Sequence, residues 1–191
     1  MNFCKKINLA LLPFSLAITT SALAGSSSLT YTGVFSATTC SIVSEGTDQT
    51  VNFGEVASSD WKTSNVLGYA VFSPDASMAN VKVEGCRVSE GSNENYLNLT
   101  VSATPSTLTD STNYVTVPGF EEDAMLAPTY SHTSQSADES VYTGVNKSKR
   151  IIVNKIADNQ YQFWMGGHLH SKSTQLAGSF SVPVLITVEN D

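Results

Sequence analysis

The chain has 191 residues, 41% hydrophobic and 14% charged, with 10 Lys and Arg against 17 Asp and Glu and a formal net charge of −7. That length suits one domain with a sizeable core. The acidic balance, with Lys147-Ser148-Lys149-Arg150 as the main basic run, excludes a nucleic-acid surface and speaks against adsorption to anionic membranes.

Residues 1–24 open with Lys5 and Lys6, continue through an apolar run at 7–18 and end on Ala22-Leu23-Ala24. This is the tripartite pattern of a secretory signal, with cleavage expected before Gly25. A membrane span needs roughly 20 apolar residues, and this run is shorter and contains Pro13. Cys4 leaves with the signal. The 167 residues that remain carry 8 basic and 17 acidic side chains, a net charge of −9.

From there the apolar residues recur at every second position, in short segments separated by Gly, Ser, Asn and Asp. The first is 29–35, with Leu29, Tyr31, Gly33 and Phe35 in phase, followed by Cys40 and a segment at 51–56. Trp61 follows in a polar loop, SSDWKTSN, and is the better of two tryptophans for stacking on a sugar. Segments at 66–72 and 79–83 lead to Cys86, and another spans 96–103. Residues 104–137 contain Pro105, Pro118, Pro128 and the acidic run Glu121-Glu122-Asp123, and read as long loops around a short strand at 114–117. Segments at 141–145 and 150–155 precede 160–170, where Trp164 sits beside Phe163 and His168-Leu169-His170 closes the run. The last segment is the cleanest: Phe180, Val182, Val184, Ile186 and Val188 alternate through 180–188, interrupted in hydrogen bonding only by Pro183.

Ten short strands with almost no helical periodicity predict an all-β sandwich or barrel. In an oxidising compartment Cys40 and Cys86 read as a disulfide. It would close a loop of about 47 residues, for which the chain-entropy model gives roughly 4 kcal/mol.

Chemistry is sparse. His168 and His170 would share one face of a strand, near enough to share a metal, but only His132 remains as a third histidine and two ligands do not define a site. They read as two surface histidines. No Gly-x-Ser-x-Gly elbow is present, and an acidic run in a Pro-flanked loop reads as solvated rather than as paired catalytic carboxylates. No enzyme, cofactor or metal is expected. Asn98-Leu99-Thr100 and Asn146-Lys147-Ser148 match the N-glycosylation pattern.

Four stretches together resemble one family. LTYTGVFSATTCSIV supplies Tyr31, Gly33, Val34, Cys40 and Val43; VNFGEV supplies an apolar strand with an internal Gly; ANVKVEGC places Val81 and Val83 before Cys86. YQFWMGGHLHSKSTQLAGSFSVPVLITVEND pairs Tyr161, Phe163 and Met165 with the terminal strand. Their order resembles the chaperone–usher fimbrial subunits of the type 1-like pilin family. The resemblance implies an incomplete immunoglobulin-like β-sandwich completed by a donated strand. It implies export through the periplasm with a chaperone and an outer-membrane usher, then polymerisation with other subunits into a cell-surface fimbrium that supports adhesion to a host receptor or glycan. Residues 25–36 would be the donor segment and 37–191 the pilin domain. Leu29, Tyr31 and Phe35 would plug the groove of the next subunit, with Gly33 where that groove is shallow. Phe180, Val182, Val184, Ile186 and Val188 would form the groove edge that the chaperone reads. Where the family commonly carries an aromatic residue, usually Tyr, next to the C-terminus, this chain has Asn190. Two other readings stay open: a subunit that is itself the adhesin, through loops at 104–137, and a self-contained secreted carbohydrate-binding β-sandwich, for which Trp61 is the candidate ligand contact.

Overall fold

The computed structural model describes residues 27–37, 41–43, 48–90, 94–136, 140–176 and 178–191. Residues 1–24, expected from the sequence to be a signal, the cleavage point expected before Gly25, and Cys40 lie outside the described residues. In chain order the strands are β1 (Ser27–Ala37), β2 (Ser41–Ile42), β3 (Asp48–Val56), β4 (Lys62–Ser64), β5 (Gly68–Phe72), β6 (Ala79–Glu84) and β7 (Ser89–Glu90). They continue with β8 (Asn95–Ser102), β9 (Val115–Thr116), β10 (Ala124–Ser131), β11 (Val141–Tyr142), β12 (Ser148–Ala157), β13 (Gln160–Ser171) and β14 (Gly178–Asn190). Single-turn 3-10 helices at Ser58–Asp60 and Asp75–Ser77 are the only helical turns among the described residues.

The strands join into one curled sheet with the order β11-β10-β13-β12-β8-β14-β1-β3. β13 is its hub. One edge of β13 takes β6 along 160–165 and then β5 along 168–171. The other takes β12 near 160–162 and then β10 along 164–171. β12 pairs with β8 through Ser148–Val153 before it reaches β13, so this single strand carries the sheet from one wing to the other.

The wings close over one core because each strand offers it every second residue. β8 sends in Leu97, Leu99 and Val101, β12 sends Ile151 and Val153, and the facing wing answers with Val81, Val83, Phe163, Met165 and Leu169. β6 shows the pattern most simply, buried and half-buried residues alternating along its six positions.

One element departs from the sequence reading. Residues 104–137 read as loops around a short strand; the structure keeps that strand as β9 but adds β10, eight residues long and buried throughout. A strand buried on both faces loses the alternation by which strands are recognised. Pro128 masks it further. Its carbonyl accepts from Thr143 N at 3.0 Å, so the proline turns its backbone away from β13. On that edge β9 pairs with Met125 and Leu126 and β11 with Thr129 and Tyr130. Pro128 falls in the gap between the two ladders, where no N–H is required.

Candidate functional site

β14 holds its alternation from end to end. Phe180, Val182, Val184, Ile186 and Val188 are each at most 6% exposed and belong to the main core, whereas Leu185 between them is 43% exposed. Each such buried side chain contributes about 1.5–3 kcal/mol. One edge of β14 pairs with β8 through residues 185–190. The other is covered by β1 along all 11 of its residues.

The β1–β14 ladder is parallel, from Ser27 opposite Gly178 to Ala37 opposite Val188. It sets Leu29 opposite Phe180, Tyr31 opposite Val182, Gly33 opposite Val184 and Phe35 opposite Ile186. The two alternating segments 29–35 and 180–188 thus lie side by side, in register, within one chain. On its far edge β1 runs antiparallel to β3, with a bulge between Leu29 and Thr30. A strand held by ladders on both edges leaves neither of its backbone edges open.

β3 ends the path. Between it and β6 lies a cleft of about 570 Å³ lined by Gln49, Thr50, Asn52, Asn80 and Lys82 among others. Gln49 Nε2 crosses it to donate to the Asn80 carbonyl at 3.1 Å. Nothing in the residue pattern marks this cleft, because its lining is ordinary strand polars brought together by the curl of the sheet.

The end of β14 is pinned. Asn190 Oδ1 accepts from Arg87 N at 2.7 Å, and the Asn190 carbonyl accepts from Asn98 Nδ2 at 3.0 Å. Arg150 Nε meets Asp191 Oδ2 at 2.7 Å while its guanidinium lies 3.7 Å from the centre of the Tyr96 ring. A hydrogen bond from Ser89 and then Arg150 hold the Asp191 carboxyl below the ordinary range. Asn190 therefore ties the end of β14 to Arg87 and Asn98. At the other end of β14, Phe120 from the 104–123 connection packs on Phe180 with ring centres 5.0 Å apart. Pro183 lies ahead of the β8 ladder, beside a cavity of about 130 Å³.

The remaining candidates scatter. Cys86 is buried at the end of β6, and its expected partner Cys40 lies outside the described residues. Trp61 sits in a connection, as read, but its side chain is 9% exposed and belongs to the main core, so it offers no open ring for stacking. Glu121, Glu122 and Asp123 are exposed in a turn. The Glu121 carboxyl is held below its ordinary value, chiefly by the Gly119 N–H that it accepts at 2.9 Å. His168 and His170 do share one face, but they are 8% and 3% exposed, not surface residues. The roof that buries them is built from segments too irregular to read as a layer. His132 lies elsewhere, in a cleft with Glu94 and Asn95. Among the described residues no three His, Cys, Asp or Glu side chains come together as a metal site.

No family model matches the chain, and no curated protein matches it.

Proposed function

We propose that this chain is a structural subunit of a cell-surface fimbria, an incomplete immunoglobulin-like sandwich polymerised by strand exchange. One observation carries the reading: the outer edge of the strongest apolar strand, β14, is covered from Gly178 to Val188 by an N-terminal strand in matching phase. An edge of that length and apolarity, uncovered, is a site for pairing with another chain. A strand held at the end of the chain can cover its own edge or the same edge on a neighbour, which is the general route of swapped assembly.

On this reading a periplasmic chaperone occupies the β14 edge during export, an outer-membrane usher directs assembly, and the Cys40–Cys86 disulfide ties the start of the domain to β6. Adhesion follows from the assembled fibre.

The test is a strand-complementation melt. The secreted chain is prepared without residues 25–35, refolded oxidised, and melted with and without a synthetic peptide of residues 25–37. A large rise in melting temperature, diminished when Leu29 and Tyr31 of the peptide become Asp, is the expected result. A truncated domain that is already stable and indifferent to the peptide would overturn the reading and leave a self-contained secreted domain.

A further inference from the structure

β10 alternates between two apolar clusters. Ala124 and Leu126 enter the main core, while Met125 and Ala127 enter a second, smaller cluster with Tyr114. The neighbouring strands follow the register: Met125 lies opposite His170 and Ala127 opposite His168, and across β13 Ala70 and Phe72 of β5 lie opposite the same two histidines. The outer face of this wing is therefore a miniature core with two imidazoles in it. Its roof comes from the irregular segments, with Leu108 and Tyr114 on one side, Tyr142 on another, and Val66 and Leu67 from the β4–β5 turn.

The rings are in contact throughout. Tyr114 stands edge-on to His170 at 5.4 Å and Tyr142 edge-on to His168 at 5.5 Å. Phe72 lies 4.1 Å from His168, and the two imidazoles are 6.4 Å apart. His170 Nδ1 has the Ser64 hydroxyl at 3.4 Å; its Nε2 is buried with no hydrogen-bond partner. Short ladders hold the roof to the sheet, two residue pairs between β9 and β10 and two between β10 and β11. The roof also sends Val115, Val117 and Val145 into the main core, so its opening costs their burial as well.

We propose that the His168–His170 pair is an acid-sensitive latch beneath this roof: a proton taken up there releases residues 104–117 and 141–145 from the sheet, and with them Val115, Val117 and Val145 from the main core, while β8 stays paired with β12 and β14. A protonated His170 would bury a charged N–H without an acceptor, beside a second imidazole. The groups that face it are His168 on its own strand, Tyr114 with Tyr142 behind it on the roof, Ser64 and the Val66 backbone from the β4–β5 turn, Met125 on β10 and Ala70 on β5. Ser140 Oγ lies 3.3 Å from His168 Nε2, and among the described residues none of these groups is a carboxylate. Two cations border the cluster, Lys62 over the Phe72 ring at 4.8 Å and Lys149 on the Tyr142 carbonyl.

Burial, and after it the charge on His168, lowers the His170 pKa from 6.5 to about 4, against a smaller opposing pull from the Val66 backbone. A depressed imidazole stabilises the closed roof fully above the open-state value of 6.5. That stability is lost as the pH falls from 6.5 toward about 4. Opening then rises roughly tenfold per pH unit, about 300-fold over the whole window, and levels off below it. This inference does not depend on the fimbrial reading.

The experiment is an NMR titration of the secreted chain from pH 7.5 to 4, following the His170 ring and the amide exchange of 104–117 corrected for the intrinsic effect of pH. The expected result is a His170 midpoint below 5, with protection of 104–117 falling on the order of a hundredfold while the β8 amides keep theirs. In His170→Gln, which cannot take up the proton, the protection of 104–117 should stay level across the same range. A His170 midpoint near 6.5, or protection of 104–117 that falls no more than that of β8, would overturn the proposal. So would a folded His170→Gln protein that still opens with acid. The wild-type titration decides the matter even if that variant does not fold.

Discussion

At Gly166 the chain passes between layers that leave no room for a methyl group. A Cβ there would lie 2.8 Å from Ser73 Oγ and 3.0 Å from Met78 Cε. Ser73 cannot simply yield, because its hydroxyl accepts from Gly167 N at 3.2 Å. Gly166→Ala should therefore cost about 1–3 kcal/mol, through overpacking and a weakened hydrogen bond. A urea unfolding midpoint unchanged from wild type would contradict this account. Asn146 is constrained differently. Its φ is 56°, a left-handed conformation that asparagine tolerates. Its side chain also closes two hydrogen bonds on Ala103, donating to the carbonyl at 2.9 Å and accepting from the N–H at 3.1 Å. Asn146→Ala should lose about 1–3 kcal/mol from strain and lost bonds together, and Asn146→Gly less, since glycine removes the strain. If the two variants melt at the same temperature, the left-handed backbone is not what matters at this position.

At the scale of the element, β14 gives the sharpest test of alternation. Ile186 is fully buried and Leu185, its neighbour, is 43% exposed. Ile186→Ala should cost about 2–5 kcal/mol and Leu185→Ala less than about 0.5 kcal/mol. Similar losses from both, measured by denaturant unfolding, would mean that β14 is buried on two faces. The strands with one face in the core were legible for this same reason: 51–56, 79–83 and 180–188 lie within strands of the structure, and 96–103 overruns β8 by one residue. The two-residue strands β2 and β7 and the three-residue β4 are too short to carry a period. β10 was illegible because its second face is also covered, by the roof over His168 and His170, and one apolar run serves two cores. The same double burial hid the histidine cluster. Its members come from β5, β11, β13 and the 104–117 connection, and only the His168 and His170 pair shows any local pattern in the sequence. The terminal strands could be read as apolar ladders, but their mutual register could not, since it depends on where the intervening chain brings them.

At the scale of the whole molecule, the parallel β1–β14 ladder sets a kinetic question. To exchange β1 between two copies, a chain must release 11 residues from the ladder with β14 and eight of them, Ser27–Val34, from the ladder with β3, exposing an apolar edge on the way. The expected net charge of −9 after loss of the signal also repels a second copy. Exchange between folded monomers should therefore be very slow, whereas during folding from the unfolded state each β14 can meet its own β1 or another's. Two differently tagged populations mixed when folded should give no mixed species over hours. The same populations unfolded together and refolded at high protein concentration should give mixed oligomers. Salt should raise their yield by screening the repulsion, and Leu29→Asp with Tyr31→Asp should lower it. Rapid mixing of the folded populations would mean that β1 is only loosely held. Absence of mixed species after joint refolding would mean that β1 belongs to its own chain, and that the fold is complete without a neighbour.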